Sequence, residues 1–136
     1  MTQTLKLEIV TPTEIAFSEQ VDMVTLPAIE GQMGVYPQHQ HVITQIEPGE
    51  LIVTQNGQER FLAVGEGLVE VTATRVSIVT DMAIPAERID EATVEEARAR
   101  AAARLQEKIS DEEIATVNAS LVRTLAQLHV KRRRKP

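Results

Sequence analysis

The residues best able to do chemistry are cations and carboxylates rather than nucleophiles. The chain has 136 residues, no cysteine and a formal charge of −6. Thiolate chemistry, disulfides and cysteine-type zinc sites are therefore excluded. His39 and His41 stand two apart and would share one face of a strand. They could begin a metal site, but such a site needs further ligands and no third or fourth is spaced for it. No nucleophile–base pair and no phosphate-binding loop stands out, so a catalytic or metal site is not expected. The third histidine, His129, falls near a helix end, where a surface role in the helix dipole fits it.

The cations are more organised. Arg100, Arg104 and Lys108 are four apart and would form one row on a helix, with Arg98 beside it and Arg123 on the next helix. Such a row is either a solvated face with internal pairs, such as Glu96 to Arg100, or a docking face for an acidic partner. Before the final Pro136 stands Lys131-Arg132-Arg133-Arg134-Lys135, a cluster suited to solvent, anionic lipid, nucleic acid or an acidic protein. General nucleic-acid binding is opposed by the net negative charge and by the scarcity of aromatics, which are Phe17, Tyr36 and Phe61 only.

Two kinds of element must position these groups. The first part of the chain reads as short strands. Leu5 to Ile9 alternates apolar and polar, Val21 to Leu26 is a β-rich run closed by Pro27, and His41 to Ile46 is another. Glu30 to Pro37, with Gly31 and Gly34, suggests a constrained turn at a strand edge. Asn56-Gly57 between two strand patterns predicts a tight type I′ hairpin. Runs from Leu68 and Val76 follow, giving about eight to ten strands in an all-β sandwich or barrel.

After Pro85 the period changes to helical. Thr93 to Glu96 and Ser110 to Glu113 each fit a capping box. Val94, Ala97, Ala101 and Leu105 form one stripe, and Ile114, Val117, Leu121, Leu125 and Leu128 another. A short link at Ile109-Ser110 predicts an antiparallel helical hairpin. Its first helix is rich in alanine and buries little area per contact, which suggests an arm able to come apart or move. No apolar run approaches the roughly 18 residues of a membrane span, and no signal or transit pattern precedes the first strand. A cytosolic chain that could dock on a membrane complex is expected.

Glu30-Gly31-Gln32-Met33-Gly34-Val35-Tyr36-Pro37-Gln38-His39 resembles the E-G-x-x-G-I/V-x-P-x-H segment of the epsilon subunits of F-type ATP synthase. The likeness continues through Glu47 to Leu51, Val64 to Val71 and Val76 to Asp81, and the helical hairpin follows at the expected distance. This resemblance implies a β + α chain: a ten-stranded β-sandwich over residues 1–86, bound to the gamma subunit and the c-ring, and a helical regulatory arm over residues 87–136. It implies a non-catalytic rotor subunit without a cofactor, whose extended arm reaches the alpha and beta subunits and inhibits ATP hydrolysis. It places the chain on the cytoplasmic face of a bacterial plasma membrane, held there only through the complex. The alternative is a small β-domain binding protein whose basic tail docks on anionic lipid or nucleic acid.

The resemblance also assigns residues. Glu30, Gly31 and Gln32 match the loop facing the c-ring, although many relatives have an acidic residue where this chain has Gln32. His41 stands where many relatives have proline. Arg98, Arg100, Arg104, Lys108 and Arg123 match the arm's basic contacts to the catalytic subunits. Some relatives bind ATP through I/L-D-x-x-R-A; here the stretch is Val94-Glu95-Glu96-Ala97-Arg98-Ala99. Glu95 replaces the Asp, so at most a weak ATP contact at Glu95 and Arg98 is expected.

Overall fold

In the computed structural model, which describes residues 3–134, ten strands precede two helices. The strands are β1 (Leu5–Val10), β2 (Ile15–Val21), β3 (Met23–Ala28), β4 (Gly31–Val35), β5 (Val42–Ile46), β6 (Gly49–Gln55), β7 (Gln58–Val64), β8 (Gly67–Val71), β9 (Arg75–Thr80) and β10 (Ala83–Pro85). A 3-10 turn at Ala86–Arg88 leads into α1 (Glu91–Arg104) and α2 (Asp111–Arg133). The expected fold class is the observed one.

Hydrogen bonding runs along a single path, β10-β7-β6-β3-β5-β8-β9-β1-β2, with β4 added to β3. β3 passes the path from one layer of the sandwich to the other: it pairs β6 through Met23 to Thr25 and β5 at Ala28. β1 lies parallel to β9, and every other pair is antiparallel. Period-two alternation sends Leu5, Leu7 and Ile9 inward while Lys6 and Glu8 remain half-buried on the other face. With few aromatics available, the interior is aliphatic, built on Leu26, Leu51, Val53, Leu62, Val69 and Ile78. Each such side chain contributes about 1.5–3 kcal/mol by leaving water.

Local chemistry explains the turns. Asn56 and Gly57 take φ of 53° and 77°, as a type I′ hairpin between β6 and β7 requires. The expected strand closed by Pro27 is corrected: the chain turns at Asp22, and Pro27 lies inside β3. Pro27 is tolerated because it sits in the gap between the β6 and β5 pairings, where its absent N–H leaves no ladder bond unmade. Its carbonyl, on the same side, accepts the Glu47 N–H at 2.8 Å. His39 and His41 lie before β5 rather than on it, so they do not share a strand face. His39 Nδ1 is 2.8 Å from the Gln40 carbonyl, and His41 Nε2 is 3.1 Å from Glu70 Oε2. Among the described residues no group of three metal-binding side chains converges.

Candidate interaction surfaces

The helical arm lies folded on the β6–β7 layer. Ala126 and Val130 of α2 enter a small cluster with Ala63, Met82, Ala86 and Ile89, flanked by Phe61, Ile84 and Val94. This seam shares no buried residue with the sandwich core. Most of its members are small, so the apolar area holding the arm is modest. The expected α2 stripe is corrected, since of its five residues only Leu128 is buried; Val117 and Leu121 are half-buried, and Ile114 and Leu125 exposed. Thr124, Ala126 and Val130 turn inward because α2 must face both α1 and the sheet.

Helix α1 has no fully buried residue. Its start is also corrected. Asp90, not Thr93, is the cap: Asp90 Oδ1 accepts the Ala92 N–H at 3.2 Å, and the Thr93 hydroxyl donates to Asp90 Oδ2 at 2.8 Å. The Thr93 hydroxyl, then backbone amides, hold the Asp90 carboxyl below its usual range. Ile89 and Val94 meet in the seam and clamp the helix entry, in the manner of a hydrophobic staple. The second cap is as expected, with Ser110 Oγ accepting the Glu113 N–H at 3.2 Å.

The predicted row Arg100, Arg104 and Lys108 is broken. α1 stops at Arg104, and Gln106 and Glu107 bond three residues back, tightening the last turn into a 3-10 pattern. Arg104 bonds Glu107 and, at 2.6 Å, Glu113 of α2, so it fastens the hairpin turn. Lys108 is exposed in the link, and Arg100 is exposed on α1. Arg98 Nε donates to Glu95 at 2.7 Å. That bond comes first in holding the Glu95 carboxyl low. Arg132 reaches across from α2 to Glu91 at 2.8 Å and Glu95 at 2.9 Å. Arg123 donates to Asp81 at 3.3 Å and ties α2 to the sandwich.

The cationic end is not a free tail. Lys131, Arg132 and Arg133 complete α2, and Arg134 caps it. Lys131 Nζ donates to the Ala86 carbonyl at 3.2 Å. Arg134 forks onto Glu50, at 2.9 and 2.7 Å. Lys135 and Pro136 lie outside the described residues.

Glu30 and Gly31 sit at the exposed β3–β4 hairpin, and Gln32 follows on β4. Gly31 has φ of 120°, a conformation only glycine takes freely. The structure thus brings Glu30, Gly31 and Gln32 together at one tip of the sandwich.

Sequence reasoning missed a further surface. On the outer face of the β5-β8-β9-β1-β2 layer, register aligns Leu68 with Val79, Val79 with Val10, and Val10 with Ile15. Leu68, Val79 and Ile15 are 54%, 62% and 64% exposed, and Ile43 on β5 is 65% exposed. With Val10 half-buried between them, these residues make a largely exposed apolar row on four neighbouring strands, the kind of patch that marks a protein interface. The signal was present as apolar residues at strand positions that alternation reserves for polar ones. This face is on the layer opposite the arm.

Comparison with known proteins follows from this geometry. A sequence profile described as "ATP synthase, Delta/Epsilon chain, beta-sandwich domain" matches residues 4–86. The chain is 37% identical to the ATP synthase epsilon chain of Herpetosiphon aurantiacus over 131 residues, 96% of each. It is 41% identical to that of Dehalococcoides mccartyi, across 97% of this chain and 96% of the relative. Among solved structures, a chain of the Euglena gracilis mitochondrial ATP synthase OSCP/F1/c-ring assembly superposes with TM-score 0.67 and 25% identity, covering 95% of this chain and 78% of that one. A chain of the Tetrahymena thermophila mitochondrial ATP synthase central stalk and c-ring shares the fold, with TM-score 0.60 and 10% identity over 96% and 98% of the two chains.

Proposed function

This chain belongs to the epsilon-chain family of ATP synthase, and from that premise we propose that it couples the gamma subunit to the c-ring and restrains ATP hydrolysis with a releasable arm. It is a subunit of the central stalk. In this reading residues 1–86 bind the rotor and residues 87–136 regulate it, and the chain catalyses nothing itself. It sits at the cytoplasmic face of a bacterial plasma membrane through the complex; among the described residues no helix is long and apolar enough to cross a bilayer.

The observation that carries the regulatory reading is the separation of the two clusters. The sandwich core closes without the arm, so the arm can leave while the rotor-binding body stays folded. Folded, α2 still exposes Val122 and Leu125, at 46% and 47%, apolar area that a second landing surface would cover. On release, Arg123 parts from Asp81 and joins Arg98, Arg100, Arg104 and Lys108 as contacts for the acidic faces of the alpha and beta subunits.

The apolar row of Leu68, Val79, Val10 and Ile15 suits a permanent partner, which we assign to gamma. The polar tip at Glu30, Gly31 and Gln32 suits the hydrophilic loops of the c-ring. Glu95 and Arg98, the residues of the ATP-binding pattern, serve here as an internal clamp with Arg132; the nearby Glu91 and Glu95 carboxylates oppose a phosphate.

Deleting residues 88–136 and measuring ATPase activity of the assembled enzyme tests this role. Hydrolysis should rise while assembly and proton coupling persist. Unchanged hydrolysis would remove the brake reading.

A further inference from the structure

Glu50 is an unusual residue to find beneath the arm. It lies on β6, and its side chain is only 4% exposed. A carboxylate so nearly removed from water is costly unless it is paired and hydrogen-bonded. Its partners come from the far end of the chain. Arg134 donates to Glu50 through Nε to one oxygen at 2.9 Å and through Nη2 to the other at 2.7 Å, a planar fork. The guanidinium also lies over the Phe61 ring, 3.9 Å from its centroid. Arg133 adds a looser contact at 3.7 Å. Phe61 flanks the apolar seam under α2, so charge, stacking and burial meet at the end of the arm.

We propose that Arg134, Glu50 and Phe61 form a latch that sets how often the arm leaves the sandwich. The geometry is specific to arginine. A lysine would keep the charge but lose both the two-point fork and the planar stack. The latch is also placed for leverage: it fastens the C-cap of α2, beyond Ala126 and Val130, so opening it exposes the seam from its end. The neighbouring cations fasten the same end of the arm: Lys131, Arg132 and Arg134 each reach a different acceptor on the body or on α1.

The latch can be tested on the full chain. Because the protein has no cysteine, A126C places a single thiol in the seam, and its rate of reaction with a maleimide reports how often the arm opens. R134A should speed labelling by roughly tenfold to hundredfold, the range for losing hydrogen bonds to a charged group. E50Q should act in the same direction, and R134A with E50Q should add little to R134A alone. R134K should fall between R134A and the parent. A control thiol, V69C, in the sandwich core separates release from unfolding. The proposal is overturned if R134A leaves A126C labelling unchanged. It is equally overturned if R134A speeds V69C as much as A126C, because Arg134 would then support the whole fold. The consequence for hydrolysis rests on the brake reading, whereas labelling of the chain alone does not: R134A that labels faster but leaves ATPase of the assembled enzyme unchanged would retain the latch and refute the brake.

Discussion

Val130→Ala should loosen the arm and leave the sandwich untouched. Val130 is fully buried in the seam with Ala63, Met82, Ala86, Ile89 and Ala126, none of which belongs to the sandwich core. The change removes two carbons, worth about 0.8 kcal/mol each by transfer alone. The cavity left behind raises the total to about 2 kcal/mol. At 1.4 kcal/mol per tenfold, the ratio of docked to released arm should fall roughly 30-fold. Native-state amide exchange, read on peptides by mass spectrometry, resolves the two regions. Peptides from α1 and α2 should exchange faster by about that factor, while those from β1, β8 and β9 keep their protection. Ile9→Ala, in the sandwich core, should instead accelerate the β peptides. Equal acceleration of arm and sandwich peptides by Val130→Ala would refute the reasoning, because the arm and core would then open as one unit.

Three further outcomes are expected. Leu68→Asp should abolish co-purification with gamma yet shift the melting temperature little, since Leu68 is exposed; gamma binding that survives would move the interface elsewhere. Asp90 has a depressed folded-state pKa, so the stability it lends α1 is fully present above the ordinary Asp range near about 4 and is lost as pH falls through the lower folded value. Amide shifts of Ala92 and Thr93 should therefore show an acid step that Asp90→Ala removes, and an identical step in the variant would contradict that cap. Isothermal titration of the full chain with ATP should show no micromolar binding, because Glu95 already accepts from both Arg98 and Arg132; a micromolar affinity would overturn the clamp reading.

What the sequence disclosed depended on whether the deciding contact was local. The Asn56-Gly57 hairpin and the Ser110 cap were legible because their partners lie within a few residues. The alternation of Leu5, Leu7 and Ile9 was legible for the same reason. The start of α1 was misread because Thr93 and Asp90 are both good caps, and the choice is made by burial of Ile89, a tertiary event. The pairing of Ile89 with Val94 at staple spacing was the available clue. Arg134 could not be understood from its own neighbourhood, as its acceptor lies 84 residues earlier. The apolar row was missed because each strand shows only one out-of-pattern apolar residue, and the register of β8, β9, β1 and β2 is what assembles them into a row. Family likeness supplied the context of the arm, and the structure supplied what holds it.

The central claim is that hydrolysis is controlled by the position of the arm, not merely by its presence. A126C and A63C place two thiols in the seam, and an added mild oxidant joins them as a disulfide with the arm folded. ATPase activity of the assembled enzyme, measured before and after crosslinking, tests the claim most directly. The folded, tethered arm should give the same raised hydrolysis as deletion of residues 88–136. Hydrolysis as restrained with the tethered arm as with the free one would contradict it.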